Sequence, residues 1–295
     1  MTLRAVEQAS PAWHPAPATA GAPPVPTIPG RGDSPAERAY RLTNLSTVQA
    51  KPITWLLPGR VPLGGVTVVA GAPGQGKSQL TLGIAAAVTR NADVILIGAE
   101  DGLADTVKPR LLAAGADVER VHAFNAVGTH GDDLVMLPPD VPLLQEAVMK
   151  TGAQLVVIDP FAAFLAPELN AMSDHSLRQA TAPLAQMAQA TGCAVIVVAH
   201  FRKSREGSPL TWVGGSVGLT GQARSVLILG RHKEYSPMTA DERLLIHVKS
   251  NGSALASTLV CEVVPRFVEV DGLRIETSYI KQRHEDEKIT PADVE

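Results

Sequence analysis

The chain has 295 residues, 45% of them hydrophobic and only 4% aromatic, and a net charge of −3. That length holds one large domain or two small ones, and that apolar content excludes global disorder. The charge excludes whole-protein attraction to a polyanion, so nucleic-acid contact would have to use a local basic patch.

Residues 1–38 carry eight of the 23 prolines, with many Ala, Gly and Thr between them. Such a segment buries too little apolar surface to offset its ordering entropy, so a disordered tail with polyproline II character is expected there. No apolar run reaches the roughly 18 residues of a membrane span, and the N-terminus lacks a hydrophobic signal region. A cytoplasmic location and no membrane contact follow as expectations. Cys193 and Cys261 sit in apolar, strand-like contexts and read as reduced core residues.

From about residue 40, apolar runs alternate with helix-length segments, the pattern of a mostly parallel α/β sheet flanked by helices. Strands are predicted at Val66–Ala70, Val94–Ile97, Leu155–Ile158, Val195–Ala199, Val226–Leu229 and Leu244–Val248. Their near-continuous Val and Ile content suits a sheet buried on both faces. Helices are predicted at Lys77–Thr89, Leu103–Ala114, Val141–Lys150 and Leu177–Ala190. A C-terminal hairpin, Phe267–Val270 and Leu273–Ile280, turns at Asp271-Gly272. The expected domain covers residues 39–281, followed by a frayed charged tail, 282–295.

The most specific motif is Gly71-Ala72-Pro73-Gly74-Gln75-Gly76-Lys77-Ser78, which satisfies G-x-x-x-x-G-K-[ST] between a predicted strand and a predicted helix. Its glycines let the backbone wrap a phosphate with N–H groups pointing inward, and the helix start adds its positive dipole end. Lys77 is expected at the β- and γ-phosphates of ATP, Ser78 at Mg²⁺, and Gln79 among the nucleotide contacts. Asp159 ends the buried run Leu155–Ile158, where a carboxylate can orient Mg²⁺ beside the loop.

Residue 160 is Pro, so a catalytic Glu directly after Asp159 is absent. Val94-Ile95-Leu96-Ile97-Gly98-Ala99-Glu100-Asp101 supplies an acid at the end of the strand after the phosphate-loop helix. This arrangement resembles the RecA-like ATPases, in which such a Glu polarises the attacking water. Glu100 is the preferred base, with Asp101 as the alternative.

Val197-Val198-Ala199-His200 and Ala223-Arg224-Ser225 bring the resemblance closer to the RepA-type hexameric helicases, and more distantly to DnaB. It implies a γ-phosphate sensor at His200, an arginine finger at Arg224 and an adenine contact at Arg110. It further implies a homo-oligomeric ring of six copies, with single-stranded nucleic acid as partner. Lys249 is followed by Ser250 and Asn251, not by the Lys-x-Arg pair of DnaB-type rings, which shifts the finger reading onto Arg224. Arg202, Lys203 and Arg205 form the basic loop that would meet phosphates. The functions left open are a nucleic-acid motor, a KaiC-like ATPase that organises an assembly, and, less favoured, a small-molecule kinase.

Overall fold

A computed structural model of the chain describes residues 42–128, 131–202, 207–213, 216–233 and 241–294. The chain divides into two units at Ala50/Lys51. In the first, a 3-10 turn, Leu45–Thr47, is capped by Asn44, whose side chain accepts from the Ser46 amide. The predicted tail, 1–38, lies outside the described residues.

The second unit opens with the short pair β1 (Trp55–Leu57) and β2 (Val61–Pro62), then β3 (Gly65–Gly71) and α1 (Lys77–Val88). There follow β4 (Val94–Gly98), α2 (Lys108–Ala113), β5 (Val121–Ala123), the small pair β6 (Ala126–Gly128) and β7 (Gly131–Asp133), α3 (Val141–Thr151) and β8 (Leu155–Asp159). The remainder is α4 (Asp174–Thr191), β9 (Ala194–His200), α5 (Pro209–Trp212), α6 (Ser216–Gln222), β10 (Ser225–Gly230), β11 (Glu242–Ser250), β12 (Thr258–Val270) and β13 (Leu273–Asp286).

One nine-stranded sheet runs β13-β12-β11-β10-β3-β9-β8-β4-β5. The pairs from β10 to β5 are parallel, and those from β10 out to β13 are antiparallel. Every residue of β3 and β10 is buried, as the largely apolar runs require when helices cover both faces. Two apolar layers result. One, holding Leu184, Met187 and Phe161, packs on one face, and the other, holding Leu80, Leu96 and Leu227, packs on the opposite face.

Two predicted elements come out differently. The helix expected over 103–114 is a π-helical turn, Leu103–Val107, followed by α2. Pro109 has no N–H to offer one turn back, and the amides of Thr106 and Val107 both reach the Gly102 carbonyl, widening the turn. The expected charged tail from residue 282 is a strand instead, with Gln282 paired to Cys261 and Asp286 to Thr258. Thr258–Cys261 are buried and need a backbone partner. The charged side chains of 281–286 suit an edge strand, where they discourage further pairing.

Lys249 shows what the late strands do for the fold. Its ammonium donates to the carbonyls of Thr220 (2.6 Å), Gly221 (3.4 Å) and Ala223 (2.8 Å), satisfying the last turn of α6. Lys249→Ala is expected to destabilise the protein by about 1–3 kcal/mol, the range for hydrogen bonds to a charged group. Urea unfolding measures this, and the KM for ATP should stay unchanged.

Candidate nucleotide site

Glycine makes the turn between β3 and α1 possible. A Cβ at Gly71 would run into the Leu229 carbonyl oxygen, and Gly76, the residue before α1, sits at φ 89° in the left-handed region. The turn delivers Lys77 to the carboxyl ends of the parallel strands, only 5% exposed. Its Nζ donates to the Ala72 carbonyl at 2.9 Å and lies 3.3 Å from His200 Nδ1. The ammonium is the donor in that second contact, so Nδ1 accepts and the imidazole proton belongs on Nε2.

Adjacent strands bring the other groups. β3 pairs with β9 so that Gly71 opposes His200, and β4 pairs with β8 so that Gly98 opposes Asp159. The Ala99 amide donates to the Asp159 carbonyl at 3.2 Å, which ties the segment carrying Glu100 to the end of β8. The Ser78 hydroxyl hydrogen-bonds the Asp159 side chain. Lys77, Ser78, Gln79, Glu100, Asp101, Arg110, Asp159 and His200 all line one open cleft with Pro73, Gly74 and Gly76.

The electrostatics follow from burial. Burial pushes the Lys77 ammonium below the ordinary lysine range, against the pull of Asp159 and Glu100. Burial likewise raises the Asp159 carboxyl. The Ser78 hydrogen bond and Lys77 oppose that rise, while Glu100 and Asp101 add to it. His200 is lowered by burial and then by the Lys77 charge, with Glu100 opposing. The imidazole is therefore neutral at pH 7, as its contact with Lys77 requires.

Arg110 lines the cleft and holds Asp101 in an ion pair of 2.7 Å. The same pair occupies Asp101, leaving Glu100 as the exposed acid beside Lys77 and Asp159. Gln79 donates through Nε2 to the Ser278 hydroxyl.

Arg224 lies at the wrong end of its strand for its own phosphates. Its amide bonds the Val66 carbonyl at the start of β3, about 16 Å from Gly71 at roughly 3.3 Å per residue. Parallel pairing with β3 forces that position, because the residue before a parallel strand starts on the edge opposite the phosphate loop. The late strands bring two further arginines to the loop's edge, Arg231, just after β10, and Arg243, near the start of β11. Sequence reasoning passed over both, because the direction of β11 is invisible until its pairing is known.

Lys203 and Arg205 lie outside the described residues. Arg202 follows β9, and its amide bonds the Trp212 carbonyl at 2.7 Å while Phe201 bridges Val213. Phe201 and Trp212 meet edge to face with centroids 6.0 Å apart.

Ser78 and Asp159 present a hydroxyl and a carboxylate side by side, hard oxygen donors of the kind Mg²⁺ takes with nucleotide phosphates and water. A family model described as an AAA domain, AAA_25, matches residues 34–206, from ahead of the phosphate loop to the basic loop. The chain belongs to the AAA_25 family. It is similar to the DNA repair protein RadA of Helicobacter pylori (strain ATCC 700392 / 26695), 24% identical over 156 residues. That stretch covers 52% of this chain and 32% of RadA, so the match spans about a third of the relative's length. Fold and family together make this AAA_25 protein a RecA-like P-loop ATPase. Among the described residues no helix is long and apolar enough to cross a membrane.

The raised Asp159 carboxyl makes a stability prediction. The folded, nucleotide-free protein holds this proton more tightly than the unfolded chain does. The group's contribution is therefore full below the unfolded carboxylate value and is lost as pH rises through the folded value. Asp159→Asn should raise the melting temperature of the nucleotide-free protein at neutral pH, with the gain vanishing in acid. A variant less stable than wild type at neutral pH would contradict this.

Proposed function

We propose that this protein is a Mg²⁺-dependent, ring-forming ATPase that drives movement along single-stranded nucleic acid. One observation carries the reading. The groups suited to phosphate chemistry converge at the carboxyl ends of β3, β4, β8 and β9, and Arg202 follows at the same end of β9. The similarity to RadA, a DNA repair protein, supports a nucleic-acid partner.

In this reading the backbone of Gly71–Ser78 cradles the phosphates, and Lys77 exchanges its Ala72 and His200 partners for phosphate oxygens. Ser78 and Asp159 would hold Mg²⁺, which neutralises charge on the β- and γ-phosphates when bound. Glu100 takes a proton from the attacking water, whose oxygen bonds to the γ-phosphorus as ADP leaves. His200 keeps Nε2–H available as a donor and so reports the γ-phosphate to the base of the loop containing Arg202, Lys203 and Arg205. An arginine from a neighbouring subunit completes the site. Arg224 serves only if the opposite edge of the sheet forms the interface.

Lys77→Ala is expected to abolish ATP binding and turnover together. Glu100→Gln should keep binding but lose turnover by about two or more orders of magnitude. Normal hydrolysis by Glu100→Gln, with loss in Asp101→Asn, would move the base to Asp101.

Movement on nucleic acid is tested separately. Single-stranded DNA should stimulate the ATPase at low salt, and ATP should tighten DNA binding by the same factor by which DNA tightens ATP binding. Replacing Arg202, Lys203 and Arg205 together by Ala should remove the stimulation while basal turnover persists. An oligomer whose ATPase ignores both single-stranded DNA and RNA would favour the second reading, an ATPase that organises an assembly.

A further inference from the structure

The sheet beyond β10 lies outside residues 34–206, which the family accounts for, yet it reaches the phosphate loop at several points. Arg243, near the start of β11 and only 6% exposed, donates from Nε to the Gln75 carbonyl at 3.0 Å. Its Nη1 donates to the Glu242 carbonyl at 2.8 Å, which helps hold the guanidinium in place. On the next strand but one, the Ser278 hydroxyl accepts from Gln79, and Ile280 lies where a side chain at Gly76 would come within 3.5 Å.

The peptide joining Gln75 to Gly76 is the informative unit. A trans peptide is planar, so its C=O and the following N–H point to opposite sides. Holding the Gln75 carbonyl toward Arg243 therefore turns the Gly76 N–H away from β11. Gly76 tolerates both signs of φ, so nothing in its own chemistry prevents that peptide from flipping. A flipped peptide would offer phosphate a carbonyl oxygen in place of a donor.

We propose that Arg243 is a positioning residue for nucleoside di- and triphosphates. By gripping the Gln75 carbonyl it sets the Gly76 N–H for phosphate and keeps the loop in its binding shape before nucleotide arrives. This rests on the reading of Gly71–Ser78 as the phosphate loop. It adds that the antiparallel extension is part of the nucleotide site through a residue that never touches the reacting atoms.

The test compares wild type, Arg243→Gln and Arg243→Lys for ATP and ADP affinity, KM, kcat and nucleotide-free unfolding midpoint. Arg243→Gln should raise the Kd for both nucleotides by about tenfold or more, the size of one lost charge-assisted hydrogen bond. KM should rise in parallel and kcat should change much less. Arg243→Lys, which keeps a charged donor, should recover part of the loss. Unchanged Kd values in a folded Arg243→Gln protein overturn the inference, as does a fall in kcat at unchanged KM. If neither variant folds, hydrogen exchange of the wild-type loop decides. Protection of the 75–78 amides without nucleotide supports the brace, and exchange at unstructured rates overturns it. Lys77→Ala separates the levels. Lost ATP binding there with unaffected Arg243 variants sinks the brace alone, whereas retained ATP binding sinks the phosphate reading beneath it.

Discussion

An ammonium group almost withdrawn from water must be balanced by nearby charge and hydrogen bonds, and Lys77 sets that demand on the whole site. Burial weakens its hold on its proton, while Asp159 and Glu100 pull the other way. Its donors go to the Ala72 carbonyl and His200, partners that an incoming phosphate can replace. Asp159 faces the converse problem, a carboxylate resisting burial and relieved by Ser78 and Lys77. Each group is costly in isolation. Together they form a set whose strain a polyphosphate and a divalent cation would relieve.

Topology decides which groups take part. Parallel strands all present their carboxyl ends on one edge, so β3, β4, β8 and β9 bring the phosphate loop, Glu100, Asp159 and His200 together without long excursions. The same rule sends Arg224 to the opposite edge. Lys249 goes there too, because antiparallel pairing sets it against Val226, and it is used to finish α6. Arg224 and Lys249 thus stand at the edge of the sheet opposite the phosphate loop of their own chain.

The antiparallel half of the sheet is more than an appendage. β11 reverses direction, so its first residues return to the edge that carries the phosphate loop. β12 and β13 then pack along α1 and α2, where Arg266 donates to the Ala113 carbonyl at 2.8 Å. The helix that follows the phosphate loop is accordingly held between the parallel core and the C-terminal strands. Any load on those strands has a short covalent and hydrogen-bonded route to the loop through Arg243 and Gln79.

Some of this was legible from the residues alone. The Val/Ile runs marked the central strands because a doubly buried strand must be apolar throughout, and Gly71–Ser78 and Asp159 were readable because their chemistry demands particular residues at particular spacings. Glu100 and His200 could be picked as strand-end groups, since an apolar strand closing on a polar residue is a local pattern. Other features needed tertiary structure. The split of 103–114 depends on how Pro109 redistributes hydrogen bonds, and the pairing of Gln282 with Cys261 on a partner more than 20 residues away. The ion pair of Arg110 with Asp101, the far-edge position of Arg224 and the grip of Arg243 on Gln75 are relations across the fold. Residue types and spacing determined which chemistry this chain carries. Strand direction and pairing, which no local pattern encodes, decided which side chains reach it.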